Sequence, residues 1–188
     1  DWSSDVCSSD LPVPTDLTAL LVDLQVMARP SLPEGIGLDI LVSGLDGAVM
    51  LDAGSLQDAL LDLILNARDA IVSGGAGGGR ITVTARPVRD TWLEISVADS
   101  GPGFSAEALD RGLDPFFTTK GGEGSGLGLS MVYDHTRLSG GTLKLSNQPE
   151  GGAKVTLRLP FRPVAGPERA EPLLVLPVED REEIRADV

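Results

Sequence analysis

Apolar positions recur along this chain at two different periods, and the switches between them mark its elements. Residues 17–28 (LTALLVDLQVMA) read as a short apolar helix, ended by Pro30 and Pro33. Segments 37–43 and 48–51 read as two short strands around a Leu45-Asp46-Gly47 turn. Over 55–71 the period lengthens: Leu56, Ala59, Leu60, Leu63, Ala67 and Ala70 fall three and four apart, which lines up one apolar stripe on a helix. Asp58, Asp62, Asn66 and Asp69 follow similar spacing and form a polar stripe beside it. A glycine run at 74–79 ends this helix. Strict alternation then takes over at Ile81, Val83 and Ala85, and again at Leu93, Ile95 and Val97. A turn at 99–104 and a glycine-rich loop over 105–125 lead into a second long helix at 127–138. Two last strands carry Leu143 and Leu145, then Val155, Leu157 and Leu159. Alternating strands have one buried and one exposed face, so helices interleaved with them imply a two-layer α/β sandwich.

The flanks break the pattern. Residues 1–10 (DWSSDVCSSD) are polar and aperiodic and resemble a non-native leader, so fold reasoning sets them aside. After Pro160 the composition turns to proline and charge, as in a linker. The expected organisation is a leader at 1–11, the tail of a preceding region or a linker at 12–34, one domain at 35–162, a linker at 163–172 and a separate segment at 173–188.

Charge narrows the function. With a formal net charge of −13, the chain repels nucleic acid and anionic lipid, and contact with neither is expected. The single cysteine, Cys7, excludes an internal disulfide, and no apolar run reaches membrane-spanning length; a cytoplasmic protein is expected. An acidic protein that binds an anion must use backbone N–H groups, a helix N-terminus or a bridging metal, and the sequence offers candidates for all three.

Four short motifs carry the candidate chemistry. In Asn66-Ala67-Arg68-Asp69-Ala70 the Asn amide oxygen is a neutral hard ligand, suited to Mg²⁺ already held by phosphate. Taken alone, a solvated helix face explains this motif better. In Asp99-Ser100-Gly101-Pro102-Gly103 a carboxylate at a strand end could accept from an exocyclic amine while glycines admit a flat base, although an ordinary Asp-rich turn reads the same way. Asp114-Pro115-Phe116-Phe117-Thr118-Thr119-Lys120 exposes two phenylalanines that must cover something, meet a partner or form a small satellite core. Lys120 could reach a phosphate or be a surface lysine. In Gly122-Glu123-Gly124-Ser125-Gly126-Leu127-Gly128-Leu129 a glycine loop runs straight into a helix, whose free N–H groups and positive dipole end suit phosphate. A plain connecting loop is the competing account, less comfortable with so many glycines.

Together, in this order, these motifs resemble the GHKL superfamily, and specifically the catalytic domain of bacterial sensor histidine kinases: an N box (LLDLILNARDA), a G1 box (DSGPGF), an F box (DPFFTTK) and a G2 box (GEGSGLGLSMV), over about 17–161. Gly140-Gly141-Thr142 and the run from Gly151 to Leu157 resemble the last two strands of that family. The resemblance implies an α+β two-layer sandwich of the Bergerat ATP-binding type, its mixed, mostly antiparallel sheet covered by helices on one face, with a mobile ATP lid over about 104–125. It implies ATP and Mg²⁺ as cofactors. Asn66 would hold the metal, with Asp69 and Ala70 beside the nucleotide. Asp99 would bind the adenine amino group, Gly101, Gly103 and Phe104 would shape the pocket, and Thr156 would lie nearby. Thr118, Thr119 and Lys120 would reach the nucleotide from the lid, and Gly124, Ser125, Gly126, Leu127, Gly128 and Leu129 would hold phosphates. The implied reaction passes the γ-phosphoryl of ATP to a histidine on a separate dimerisation domain, with a response regulator or receiver domain as downstream partner.

Two features depart from that pattern. The family usually has Asn where this chain has Asp62, and gyrase-like relatives place a catalytic Glu there. A tolerated variant is expected, with ATP hydrolysis through Asp62 as general base the alternative; a non-catalytic nucleotide-binding module is the other. The only histidine, His135, sits on the helix after the glycine loop, at a position expected to face away from the γ-phosphate, so no phosphoacceptor is expected here. Finally, LLVLPVEDREEIR resembles the opening strand and acidic pair of a receiver domain, in which Glu179 and Asp180 would help bind Mg²⁺. Pro177 interrupts that strand, and a disordered acidic tail is the alternative.

Overall fold

The computed structural model describes residues 11–75, 77–117 and 128–164. The leader with Cys7, most of the 163–172 linker and the receiver-like segment with Glu179 and Asp180 lie outside them.

Five strands form the main sheet: β2 (Ile36–Val42), β4 (Gly79–Val88), β5 (Trp92–Asp99), β6 (Thr142–Asn147) and β7 (Ala153–Pro160), ordered β2-β4-β5-β7-β6. Only β2 and β4 run parallel; every other neighbour is antiparallel. The alternation read from the sequence sets the register, pairing Val83 with Val97 and Val97 with Val155 on one face. On that face lie helices α1 (Leu17–Ala28), α2 (Ala53–Ser73) and α4 (Gly128–Leu138), and a single core forms between the layers. Leu60, Ile64, Ile81 and Ile95 are fully buried there. Each such side chain contributes roughly 1.5–3 kcal/mol by leaving water.

Local chemistry fixes the helix ends. The Asp52 carboxylate caps α2, accepting from the Ser55 N–H at 3.1 Å and the Ser55 hydroxyl at 2.6 Å. Asp16 caps α1 in the same way through the Ala19 N–H. The stripe foreseen on α2 is the buried one, with Ile64 and Ile71 added and Ala70 half-buried.

Four features differ from the sequence reading. Helix α1, expected as the tail of a preceding region, buries Leu17, Leu20, Leu21, Leu24 and Ala28 in the same core as the sheet. The two strands expected around the Leu45-Asp46-Gly47 turn both form but belong to different sheets: β2 joins β4, whereas β3 (Ala48–Leu51) lies between β1 (Val13–Thr15) and β8 (Pro163–Val164). Partners distant in sequence bury Val49 and Leu51, which local turn signals could not reveal. Strand β8 falls in the expected linker. Within the expected loop, a short helix α3 (Ala106–Arg111) starts where the Ser105 hydroxyl accepts from the Ala108 N–H.

The opposite face of the sheet is open and polar. Glu94, only 8% exposed on the central strand, receives Arg86 from β4 at 2.7 Å and Arg158 from β7 at 2.9 Å. The bond from Arg86 is the largest influence holding its carboxyl below the usual glutamate range; burial opposes it, and Arg158 adds to the lowering. A lowered carboxyl contributes stability that is present above the ordinary glutamate range and lost as pH falls through the lowered value. Glu94→Gln should therefore cost about 1 kcal/mol at neutral pH, since both guanidiniums are largely exposed. Denaturant unfolding should show the gap from wild type closing as the solution is acidified into and below the glutamate range; a gap independent of pH would refute the ion-triad account.

Candidate functional site

The odd-numbered residues of β5 face the helices, and the last of them is Asp99. Its neighbours on that face, Ile95 and Val97, are core residues, so the strand delivers a carboxylate to the rim of the hydrophobic layer, where it is 7% exposed. One oxygen, Oδ1, accepts from the Gly101 N–H at 2.8 Å and the Ala153 N–H at 3.3 Å. Burial pushes the carboxyl above the usual aspartate range, while these two bonds pull it back. Among the described residues no donor reaches Oδ2, and none of their fully buried side-chain oxygens lacks a partner. Oδ2 is therefore a charged acceptor that retains surface for an incoming donor.

The walls come close enough to Asp99 that side chains are excluded. A Cβ on Gly101 would stand 2.9 Å from Asp99 Oδ1 and 3.3 Å from the backbone of Ala70 and Ile71 on α2. A Cβ on Gly152 would stand 1.8 Å from the Asp99 carbonyl oxygen, and its φ of +96° already belongs to glycine. The pocket floor thus joins the C-terminal half of α2, the loop after β5 and the start of β7.

Asn66 sits half-buried on α2, one turn before Ala70, facing the beginning of α4: its Nδ2 lies 3.4 Å from the position of a Cβ on Gly128. The amide and the first turn of that helix accordingly share one end of the cleft. Leu129, half-buried, packs against the core. Asp69 is engaged by Arg68 at 2.6 Å, and Arg68 also donates to the Ser31 carbonyl at 3.2 Å. Asp62 lies exposed, four residues before Asn66, and its carboxyl is raised first by partial burial and then by Asp58. His135 is half-buried, two turns along α4 from Gly128. Of the two phenylalanines, Phe117 lies under the Arg111 guanidinium, 5.2 Å from ring centre, while Phe116 is 74% exposed.

The structure brings Ala70, Asp99 and Gly101 together and sets Asn66 beside Gly128, while Gly103 and Phe104 lie further along the loop, at Asn147. Thr118, Thr119, Lys120, Gly124, Ser125, Gly126 and Leu127 lie outside the described residues. Thr156 is placed elsewhere. It pairs with Ser96, so its side chain belongs to the open face with Arg86, Glu94 and Arg158, across the sheet from Asp99. The β7 residue that meets the carboxylate is Ala153, through its backbone N–H. Asn147 and Gln148, which hold the loop after β5, were also missed: their contacts span more than forty residues and leave no local signal.

Among the described residues, no group of three or more His, Cys, Asp or Glu could hold a metal, and no helix is long and apolar enough to cross a membrane. A metal here would rest on the Asn66 amide and on oxygens brought by a ligand, a donor set that suits Mg²⁺ bound to phosphate.

Comparison with known proteins shows the family and the fold. Residues 51–163 match the family described as histidine kinase-, DNA gyrase B-, and HSP90-like ATPase. The chain is 36% identical over 159 residues to the sensor histidine kinase ZraS of Escherichia coli (strain K12), covering 80% of this chain and 33% of that kinase. It therefore spans about a third of that kinase's length. Among solved structures, full-length ShkA in complex with AMPPNP superimposes with a TM-score of 0.73 at 30% identity, covering 85% of this chain and 33% of ShkA. The histidine kinase ThkA in complex with the response regulator protein TrrA gives 0.63 at 25% identity, covering 79% and 41%. The chain belongs to the histidine kinase-, DNA gyrase B- and HSP90-like ATPase family.

Proposed function

We propose that this chain is the cytoplasmic ATP-binding catalytic domain of a two-component sensor histidine kinase. It would transfer the γ-phosphoryl group of Mg·ATP to a histidine on a separate dimerisation domain. The observation that carries this reading is the buried Asp99 carboxylate, one oxygen fixed by two backbone amides and the other open to the cleft. An adenine presents what that oxygen needs, an exocyclic amine beside a flat apolar ring. The close glycine walls admit such a ring edge.

The rest of the cleft is arranged for the other end of a nucleotide. Mg²⁺, when bound, would neutralise charge on the phosphates, and Asn66 is the side chain placed to hold it. The first turn of α4, opening at Gly128, offers N–H groups and a positive dipole end in an otherwise acidic chain. In the reaction the bond from the γ-phosphorus to its bridging oxygen breaks and a bond from an imidazole nitrogen forms. Little covalent work falls to this domain, which binds, aligns and stabilises charge. His135 stays outside that chemistry. The nucleophile belongs to the partner domain, and a response regulator or receiver domain would take the phosphoryl group onward, in line with the ThkA–TrrA complex.

A second reading, ATP hydrolysis with Asp62 as general base, draws on its raised carboxyl and on its place one turn before Asn66. Steady turnover abolished by Asp62→Asn would favour it.

Calorimetric titration with Mg·ATP should show saturable binding. Asp99→Asn removes a charged acceptor worth about 1–3 kcal/mol, so affinity should fall roughly ten- to a hundredfold. Asn66→Ala should weaken the Mg²⁺-dependent part alone, and Thr156→Ala, across the sheet, should leave affinity within about twofold. Phosphate from labelled ATP should then appear on a supplied histidine-containing domain. Because the folded Asp99 carboxyl titrates above the ordinary aspartate range, and its ionised form is the stronger acceptor for the amine, wild-type affinity should begin to fall at a higher pH than an ordinary aspartate allows. That fall should be absent in Asp99→Asn. Wild-type protein that binds no nucleotide would refute the reading.

A further inference from the structure

The turn joining β6 to β7 grips the Asp99 loop at both of its ends. At the far end, the Asn147 carboxamide accepts from the Phe104 N–H at 2.7 Å and donates to the Phe104 carbonyl at 2.8 Å. The side chain thus satisfies both backbone groups of one residue, as a neighbouring strand would. At the near end, Gln148 Nε2 donates to the Asp99 carbonyl at 2.9 Å. The turn itself is closed by Gln148 N–H to the Gly152 carbonyl at 2.9 Å and Gly151 N–H to the Gln148 carbonyl at 3.1 Å, and it leads into the Ala153 N–H that meets Asp99 Oδ1. Gly103, at φ +85°, fits beneath the amide, where a Cβ would stand 2.9 Å from Asn147 Oδ1.

The half-buried Phe104 packs against the hydrophobic core, and the latch holds its backbone. Asn147 is exposed, and its partners lie on a six-residue loop, Asp99 to Phe104, that also approaches α2 at Gly101 and bonds β4 through Ser100, whose N–H donates to the Arg80 carbonyl at 3.0 Å and whose hydroxyl accepts from the Arg80 N–H at 2.9 Å. An exposed carboxamide tied at both ends to a single loop residue contributes little burial but restrains the backbone of that residue. Phe104 is also the residue before Ser105, the cap of α3, so the same latch fixes where the chain leaves the pocket towards the segment after it.

We propose that Asn147 is a positioning residue for the nucleotide pocket: with Gln148 it locks the Asp99–Phe104 loop, so that Asp99 meets an incoming adenine already oriented. This rests on the adenine-binding reading given above. The latch itself does not, because its effect on the loop is measurable without nucleotide.

The test combines hydrogen exchange of the nucleotide-free chain with Mg·ADP affinity, for wild type, Asn147→Ala, Asp99→Asn and the double variant. Asn147→Ala should melt within a few degrees of wild type, since the residue is exposed. Exchange over the Asp99–Phe104 loop should quicken by about tenfold or more while the α2 core stays protected. Mg·ADP affinity should fall about three- to tenfold. Because both residues act through one loop, the double variant should lose much less than the product of the single losses, whereas a role unconnected to Asp99 gives losses that multiply. Unchanged exchange in the loop, or multiplicative losses, would overturn the positioning role with nucleotide binding intact. Quickened loop exchange in Asn147→Ala beside a wild type that binds no Mg·ADP would instead overturn the nucleotide reading, and the positioning role would fall with it.

Discussion

A carboxylate held at the edge of a hydrophobic layer constrains everything around it. Asp99 reaches that edge because it continues the core-facing parity of Ile95 and Val97, and burial makes its charge costly. The cost is met at one oxygen by the N–H groups of Gly101 and Ala153, which requires two loops to converge on the strand end. Convergence at that range forbids side chains, and glycines stand at the contacts with Ala70, Ile71 and the Asp99 carbonyl. The pocket follows from these demands together. Its floor is backbone, its walls are helix and turn, and one oxygen of its carboxylate takes no donor from the described residues.

On the proposed reading, the same logic lets a chain of net charge −13 take an anionic ligand. Few cationic side chains are needed where the first turn of α4 and a metal-competent amide share one end of the cleft. Much of the described positive charge lies instead on the open sheet face, where Arg86 and Arg158 converge on Glu94 and stabilise the central strand. The proposed binding site and the Glu94 ion triad therefore lie on opposite faces of one sheet. Helix α1 completes the architecture by packing against α2 and the edge strand β2.

Much of this was legible in the sequence, for physical reasons. Helical stripes and strand alternation are local, so 17–28 as a helix and the core faces of β4, β5 and β7 follow from residue spacing alone. What depended on distant partners was not. Strand β3 leaves its neighbour β2 for β1 and β8, and the serine-capped helix α3 sits in a stretch whose glycines read as loop. Thr156 is a different kind of miss. Its parity with Lys154 and Arg158, between core-facing Val155 and Leu157, already assigned it to the face opposite Asp99, and motif proximity outweighed that geometry. The Ala153 N–H and the carboxamides of Asn147 and Gln148 had no such signal. A backbone donor has no sequence signature, and a turn side chain acquires its partner only when the sheet has formed.

The most direct measurement is an amide NMR titration of the isotope-labelled chain with Mg·ADP. The account predicts saturable shifts concentrated at Gly101, Gly103, Phe104 and Ala153 and along the C-terminal half of α2, with the open-face amides of Glu94, Ser96 and Thr156 nearly still. Shifts centred on that open face, or none at the Asp99 loop at saturating nucleotide, would contradict it.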